Sequence, residues 1–119
     1  MSGTIFVSKG RSVTLSTISF DYLLEKMRPL YLESEFYLKN EIYQVYDDEG
    51  HDFLYLETLS SEGFNIFVLV LLRLFSLNST ERFFETRKAT LIDLILLLKI
   101  DARCDNSLGL RLGALYAGA

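Results

Sequence analysis

Cysteine, histidine and proline occur once each in 119 residues, and each scarcity closes off a class of protein. Cys104 alone cannot make an internal disulfide, so nothing asks for an oxidising compartment and a cytoplasmic location is the expectation. His51 alone leaves no pair of cysteines or histidines at zinc-ligand spacing. It also lies in a segment unrelated to Cys104, so the thiol reads as a half-buried structural group and not as a nucleophile. With Pro29 the sole proline and no Pro/Gly/Ser linker, repeat or low-complexity tract, residues 1–119 read as one domain.

Long apolar runs are missing too. The longest uncharged stretch, GFNIFVLVLL at residues 63–72, falls well short of the ~20 residues that cross a bilayer, and Arg73 ends it. In MSGTIFVSKGRSVTLS the charges Lys9 and Arg11 follow the apolar residues, the reverse of an export leader. Without such a leader, NST at residues 78–80 reads as a chance match to a glycosylation acceptor. Neither a P-loop nor a G-x-G-x-x-G pattern marks a nucleotide site. DDEGHD, residues 47–52, gathers hard oxygen donors around His51 but lacks the spacing of a calcium loop. An imidazole at a solvated turn also lacks the cleft that would tune its pKa for catalysis. No catalytic residue, metal or cofactor is therefore assigned, and the chain is not expected to be an enzyme.

What is abundant is negative charge in one place. Residues 33–62 hold nine acids (Glu33, Glu35, Glu41, Asp47, Asp48, Glu49, Asp52, Glu57, Glu62) against the single base Lys39, a net of −8 within a chain whose total is −4. Phe36, Tyr37, Tyr43, Tyr46, Phe53 and Tyr55 are threaded among them. Two readings stand: a well-solvated face, or a surface that steers and binds a basic partner. Such a patch repels phosphates, so nucleic acid is not an expected ligand, and neither is a membrane. Arg82, Arg87 and Lys88 lie beside Phe83 and Phe84, but Glu81 and Glu85 interleave with them, so ion pairs within the chain are expected there.

The periodicities predict an α+β fold, a small antiparallel sheet of hairpins packed on about three helices. TIFVS and RSVTLS around KG read as a first hairpin. Phe20, Leu23, Leu24, Met27 and Tyr31 share one helical face, with an N-cap from Ser or Thr at 16, 17 or 19 and a stop near Pro29. The aromatic and β-branched content of EFYLK, EIYQVYD and HDFLYLETL predicts strands, the last two joined through DDEG, with Leu54 and Leu56 inward and Phe53, Tyr55 and Glu57 outward. Glu62, Asn65, Arg73 and Ser76 fall on one narrow stripe of a helix over about 61–77, which must then be buried on most sides. NSTERFFETRKA is expected to be a short helical or irregular segment. TLIDLILLLKIDAR predicts a helix capped by Thr90, with Asp93 three residues on and Lys99 and Arg103 toward its C-terminal end. The tail has two readings, an edge strand through Leu108, Leu110 and Leu112 or a loose end, with residues 110–119 expected to be the most flexible.

A small, acidic, cysteine-poor chain with tyrosines among the carboxylates from Glu33 to Glu62, and no catalytic constellation, resembles bacterial toxin-immunity proteins, including the immunity partners of contact-dependent growth inhibition. The resemblance is one of type and matches no motif residue by residue. It implies a non-catalytic protein that binds a cognate toxin domain, basic and nuclease-like, and occludes it by mimicking the charge of nucleic acid. Tyr43, Tyr46, Asp47, Asp48, Glu49, Asp52, Tyr55 and Glu57 are the residues expected to carry that binding. Other functions stay open on the residues alone. One is a homo-oligomeric domain that buries its outward aromatic row against a second copy. Another is an inhibitor of some other nucleic-acid enzyme, such as a phage anti-defence protein. A third is a small-molecule enzyme or sensor with a pocket between sheet and buried helix.

Overall fold

Alternation of apolar residues with small polar ones builds the first hairpin, β1 (Ser2–Ser8) and β2 (Arg11–Ser16). Its antiparallel register sets Ile5 opposite Val13 and Gly3 opposite Leu15, and Gly10 makes the turn at φ +75°. The computed structural model describes residues 2–78 and 82–115. Met1, residues 79–81 and residues 116–119 lie outside that description, and with them Ser79 and Thr80 of the NST triplet, Glu81 and the small-residue end of the tail.

The helix that follows, α1 (Thr17–Met27), is capped by Ser16, whose side chain accepts a hydrogen bond from Ser19 N. Its buried face is the expected one, Phe20, Leu23, Leu24 and Met27, and the chain leaves it through a 3-10 turn, Arg28–Leu30, that contains Pro29.

Residues 36–48 overturn the strand expectation. They form a helix, α2 (Phe36–Asp48), entered through a second 3-10 turn, Glu33–Glu35. Aromatic and β-branched content favours strands only in so far as it fits a half-buried pleated surface. Here Leu38, Ile42, Tyr43 and Tyr46, all buried, recur at helical spacing, and that period prevails. No hairpin therefore crosses DDEG. Instead, α2 ends at Gly50 (φ +82°) and His51 (φ +64°), with His51 N donating to the Tyr46 carbonyl at 3.0 Å.

The chain then enters β3 (Phe53–Tyr55), which pairs parallel with β1, so the sheet order is β2–β1–β3 and the sheet is mixed. A parallel neighbour needs a long crossover, and α1 and α2 supply it. Leu54 and Leu56 point inward as expected, and both are fully buried.

Helix α3 (Ser61–Asn78) is the predicted buried helix, with Phe64, Phe67, Val68, Val70 and Leu71 at zero exposure. Its narrow polar stripe serves as a row of docking points. Glu62 accepts from the Tyr37 hydroxyl. Asn65 donates to the Arg103 carbonyl (2.8 Å) and accepts from Asp105 N (2.8 Å). Arg73 forks onto Glu35 (2.6 and 3.0 Å) and donates to the Leu30 carbonyl. Three of the four polar residues of the stripe, Glu62, Asn65 and Arg73, thus each fix another segment on the helix.

The Arg73–Glu35 pair is mostly shielded, with side chains 24% and 10% exposed. The guanidinium hydrogen bond holds the Glu35 carboxyl below its usual pKa. A depressed folded-state pKa contributes stability that is complete above the unfolded value, about 4.3, and is lost as pH falls through the folded value. Urea unfolding of Glu35→Gln beside the wild type should show a gap of about 2 kcal/mol at pH 7 that narrows below about pH 4. A gap unchanged between pH 7 and pH 3 would contradict the pairing.

Three segments complete the fold: α4 (Arg82–Thr86), α5 (Lys88–Ile100) and α6 (Asn106–Ala114). The helix over 88–100 starts two residues ahead of Thr90, so Thr90 is not its N-cap, and Leu91, Leu94, Ile95 and Leu98 form its buried face. The tail is helical through Ala114 and not an edge strand. Asp105 caps it by accepting from Ser107 N and Leu108 N, and Gly109 and Leu112, three apart, face the core.

Arg103 is not a helix-end charge but a clamp. It donates to the carbonyls of Leu56, Leu59 and Val7 (2.6, 2.9 and 2.8 Å), pairs with Asp101, and lies over the Phe64 ring at 4.3 Å. Sheet end, α3 and the α5–α6 turn meet on that one guanidinium.

Candidate protein-binding surface

Asp47, Asp48, Glu49 and Asp52 collect at the C-terminal end of α2, where β3 begins, while Glu57 lies past the other end of β3, beside Ser8 and Lys9. Tyr43 and Tyr46 are not on that surface. Both are 1% exposed, their rings facing the core because their positions on α2 fall on the same side as Leu38 and Ile42. Their hydroxyls are spent internally, Tyr43 donating to the Leu24 carbonyl (2.6 Å) and Tyr46 to Asp21 (2.8 Å). Burial, and for Tyr46 the Asp21 carboxylate as well, pushes both phenols well above their ordinary pKa. They hold the surface from behind.

Asp47 is partly exposed and internally neutralised. Arg28 grips it with two hydrogen bonds (3.1 and 2.8 Å), also binds Glu25, and stacks over the Tyr43 ring at 4.3 Å. Those hydrogen bonds hold the Asp47 carboxyl below its usual pKa. His51 stacks on Tyr46 (4.5 Å, 14°), its Nε2 4.0 Å from Asp47. That arrangement orders the turn and presents the imidazole to solvent, 51% exposed, with no enclosing cleft.

The remaining expected carboxylates are differently placed. Asp48, Glu49 and Glu57 are exposed and Asp52 half-exposed, and among the described residues none of the four forms an ion pair. Tyr55 is half-buried and lies flat on Phe6 (4.9 Å, 8°), with Phe53 6.0 Å from Phe6 and 38% exposed. These three rings occupy the outer face of the β1–β3 pair, opposite the buried Ile5 and Leu54. The outward aromatic row read from the strand alternation is therefore present, with Phe6 added from β1. The pairing of β1 with β3 could not be read from local pattern, which is why Phe6 escaped the sequence reading.

The helical form of α2 also reveals an exposed stripe that a strand reading hides: Tyr37, Glu41, Gln44 and Asp48. It runs from Tyr37, 61% exposed, to the acidic tip. The exposed stripe of α2 and the outer face of the β1–β3 pair together offer carboxylates without an ion pair among the described residues, flat aromatic rings and hydrogen-bonding side chains, the composition of a protein-recognition surface.

Among the described residues no group of three His, Cys, Asp or Glu is placed to hold a metal ion, and no helix is long and apolar enough to cross a membrane. Cys104 is half-buried, and desolvation raises its thiol pKa, so it is a poor nucleophile.

No family model matches the chain. Individual proteins do. The immunity protein CdiI of Burkholderia pseudomallei is 31% identical over 103 residues, which span 87% of this chain and 94% of that protein. Among solved structures, a chain of the complex between the CdiA-CT toxin from Burkholderia pseudomallei E479 and its cognate CdiI immunity protein superposes with a TM-score of 0.77. The match is at 30% identity and covers 87% of this chain and 99% of that one. At that identity and near-complete overlap, the chain belongs to the CdiI immunity protein family.

Proposed function

We propose that this chain binds a cognate toxin domain and neutralises it by occlusion, with no chemistry of its own. The observation that carries the reading is the near full-length match to a protein solved in complex with its toxin. The surface described above supplies the physical means. Asp48, Glu49, Asp52 and Glu57 offer charge to a basic, nuclease-like partner, and Tyr55 with Phe53 and Phe6 offers flat apolar area. Asp47, Tyr43 and Tyr46 contribute by fixing the turn. Such a partner is met in the cytoplasm, where an immunity protein would intercept it before it reached nucleic acid.

The test is co-purification. The toxin domain encoded beside this chain, mixed with it in equimolar amounts, should elute as a single complex with Kd in the nanomolar range, and the toxin's activity should fall in step with complex formed. Independent elution of the two proteins at micromolar concentration would reject the reading. The homo-oligomer alternative predicts instead that the chain alone elutes as a dimer or larger.

A further inference from the structure

At the other side of the sheet end lies a cleft of opposite sign. A cavity of about 680 Å³ opens between the first turn of α1 and α4, lined by Ile18, Ser19, Tyr22, Phe83 and the two arginines Arg82 and Arg87. Of the ion pairs expected in ERFFETRKA, those of Glu81 lie outside the described residues; among the described ones neither Arg82 nor Arg87 meets a carboxylate. Arg87 is nonetheless held in place. Its Nε donates to the hydroxyl of buried Ser19, its Nη1 to Thr86 Oγ1 (2.8 Å), and its guanidinium lies 4.6 Å from the Phe83 ring centre. Phe83 in turn packs on Tyr22 at 4.4 Å, and Ile18 stands 80% exposed at the rim.

A fixed guanidinium that meets no carboxylate among the described residues, beside an apolar wall, suits an oxyanion carried on a short aliphatic stem. The cleft also lies toward the same end of the sheet as Asp52. Ser16, which caps α1, pairs with Ser2 at the same end of the sheet where Asp52 accepts from Thr4 N. Behind the surface, Phe20, next to Ser19, meets Tyr46 edge to face (5.6 Å, 61°), and Tyr46 stacks on His51 (4.5 Å), so buried rings connect the first turn of α1 to the turn at the acidic tip.

We infer that this cleft receives an aspartate or glutamate side chain of the same toxin domain that meets the acidic tip. An interface with a negative end and a positive end accepts its partner in one orientation only and penalises a partner with charge of a single sign. The inference rests on the proposed function.

Titration of the purified cognate toxin domain against variants tests it. Arg82→Glu with Arg87→Glu should weaken binding at least tenfold, and a single acid-to-lysine change on the toxin should recover most of the loss. Arg82→Glu alone, on an exposed side chain, should weaken it at least threefold, which keeps the test valid if the double variant misfolds. Folded variants that bind within twofold of wild type would overturn the inference and leave the proposed function standing. So would weakening that no toxin acid-to-lysine change repairs, or saturable binding of inorganic phosphate with toxin affinity unchanged. A wild-type chain that binds no toxin domain would instead reject the proposed function itself.

Discussion

Arg103→Ala is expected to lower the unfolding free energy by about 3–5 kcal/mol, the largest effect of any single substitution considered. The reason is what the guanidinium leaves behind. Asp101, whose side chain is 7% exposed, loses the partner that depresses its pKa and keeps its charge. The carbonyls of Val7 and Leu59 lose the guanidinium donor, Leu56 keeps only its bond from Leu59 N, and the face of Phe64 loses its cover. Each unsatisfied buried acceptor costs about 1–3 kcal/mol, discounted here by water that enters the vacated space. Against a typical total of about 5–15 kcal/mol, such a loss leaves the domain close to unfolding in mild urea.

Two companions separate the causes. Arg103→Lys keeps the charge but cannot fork toward three carbonyls and a carboxylate, so it should recover only part of the loss. Asp101→Ala added to Arg103→Ala removes the orphaned charge and should make the double variant more stable than the single one. Urea titrations of the three variants decide the matter. An Arg103→Ala midpoint within about 1 kcal/mol of wild type would show that the clamp contributes little.

The second large effect concerns binding. Changing Asp48, Glu49 and Asp52 together to lysine is expected to reduce affinity for the cognate toxin domain about a hundredfold at low salt, mostly through slower association. These carboxylates carry no internal ion pair among the described residues, so reversing them removes attraction and adds repulsion without breaking the fold. The loss should shrink as salt rises, because exposed charges are screened beyond ~10 Å at 0.1 M. Asp47→Lys is a separate case, since it strands Arg28 and destabilises the turn as well. Stopped-flow association rates across a salt series, with an unfolding midpoint for the triple variant, distinguish steering from folding. A triple variant that stays folded and associates at the wild-type rate would remove the acidic tip from the interface.

The structure shows where local pattern was sufficient and where it was not. The hairpin around Lys9–Gly10, α1 with its Ser16 cap, and α3 with its polar stripe were all legible, because each depends on neighbours within a turn or two of chain. Residues 36–48 carried both signals, strand-forming composition and helical spacing, and composition misled. The tail misled in the same way, since Leu108, Leu110 and Leu112 alternate as a strand does, while the contact of Gly109 and Leu112 with the core makes it a helix.

By itself, then, the sequence determined an α+β fold, a buried central helix and a concentrated negative charge. Those follow from residue types and short-range spacing. Only the tertiary structure decided which acids are free and which rings are exposed. Glu35 and Asp47 are claimed by Arg73 and Arg28, which lie 38 and 19 residues away along the chain, and Tyr43 and Tyr46 are turned inward by a helix rather than outward by a strand. The set of acids left without an internal ion pair among the described residues is thus smaller than the sequence suggests, and of the expected binding carboxylates it keeps Asp48, Glu49, Asp52 and Glu57. Arg103 and Val7, 96 residues apart, make the same point for stability. A charge in a sequence is only a formal charge until folding shows whether another residue already neutralises it.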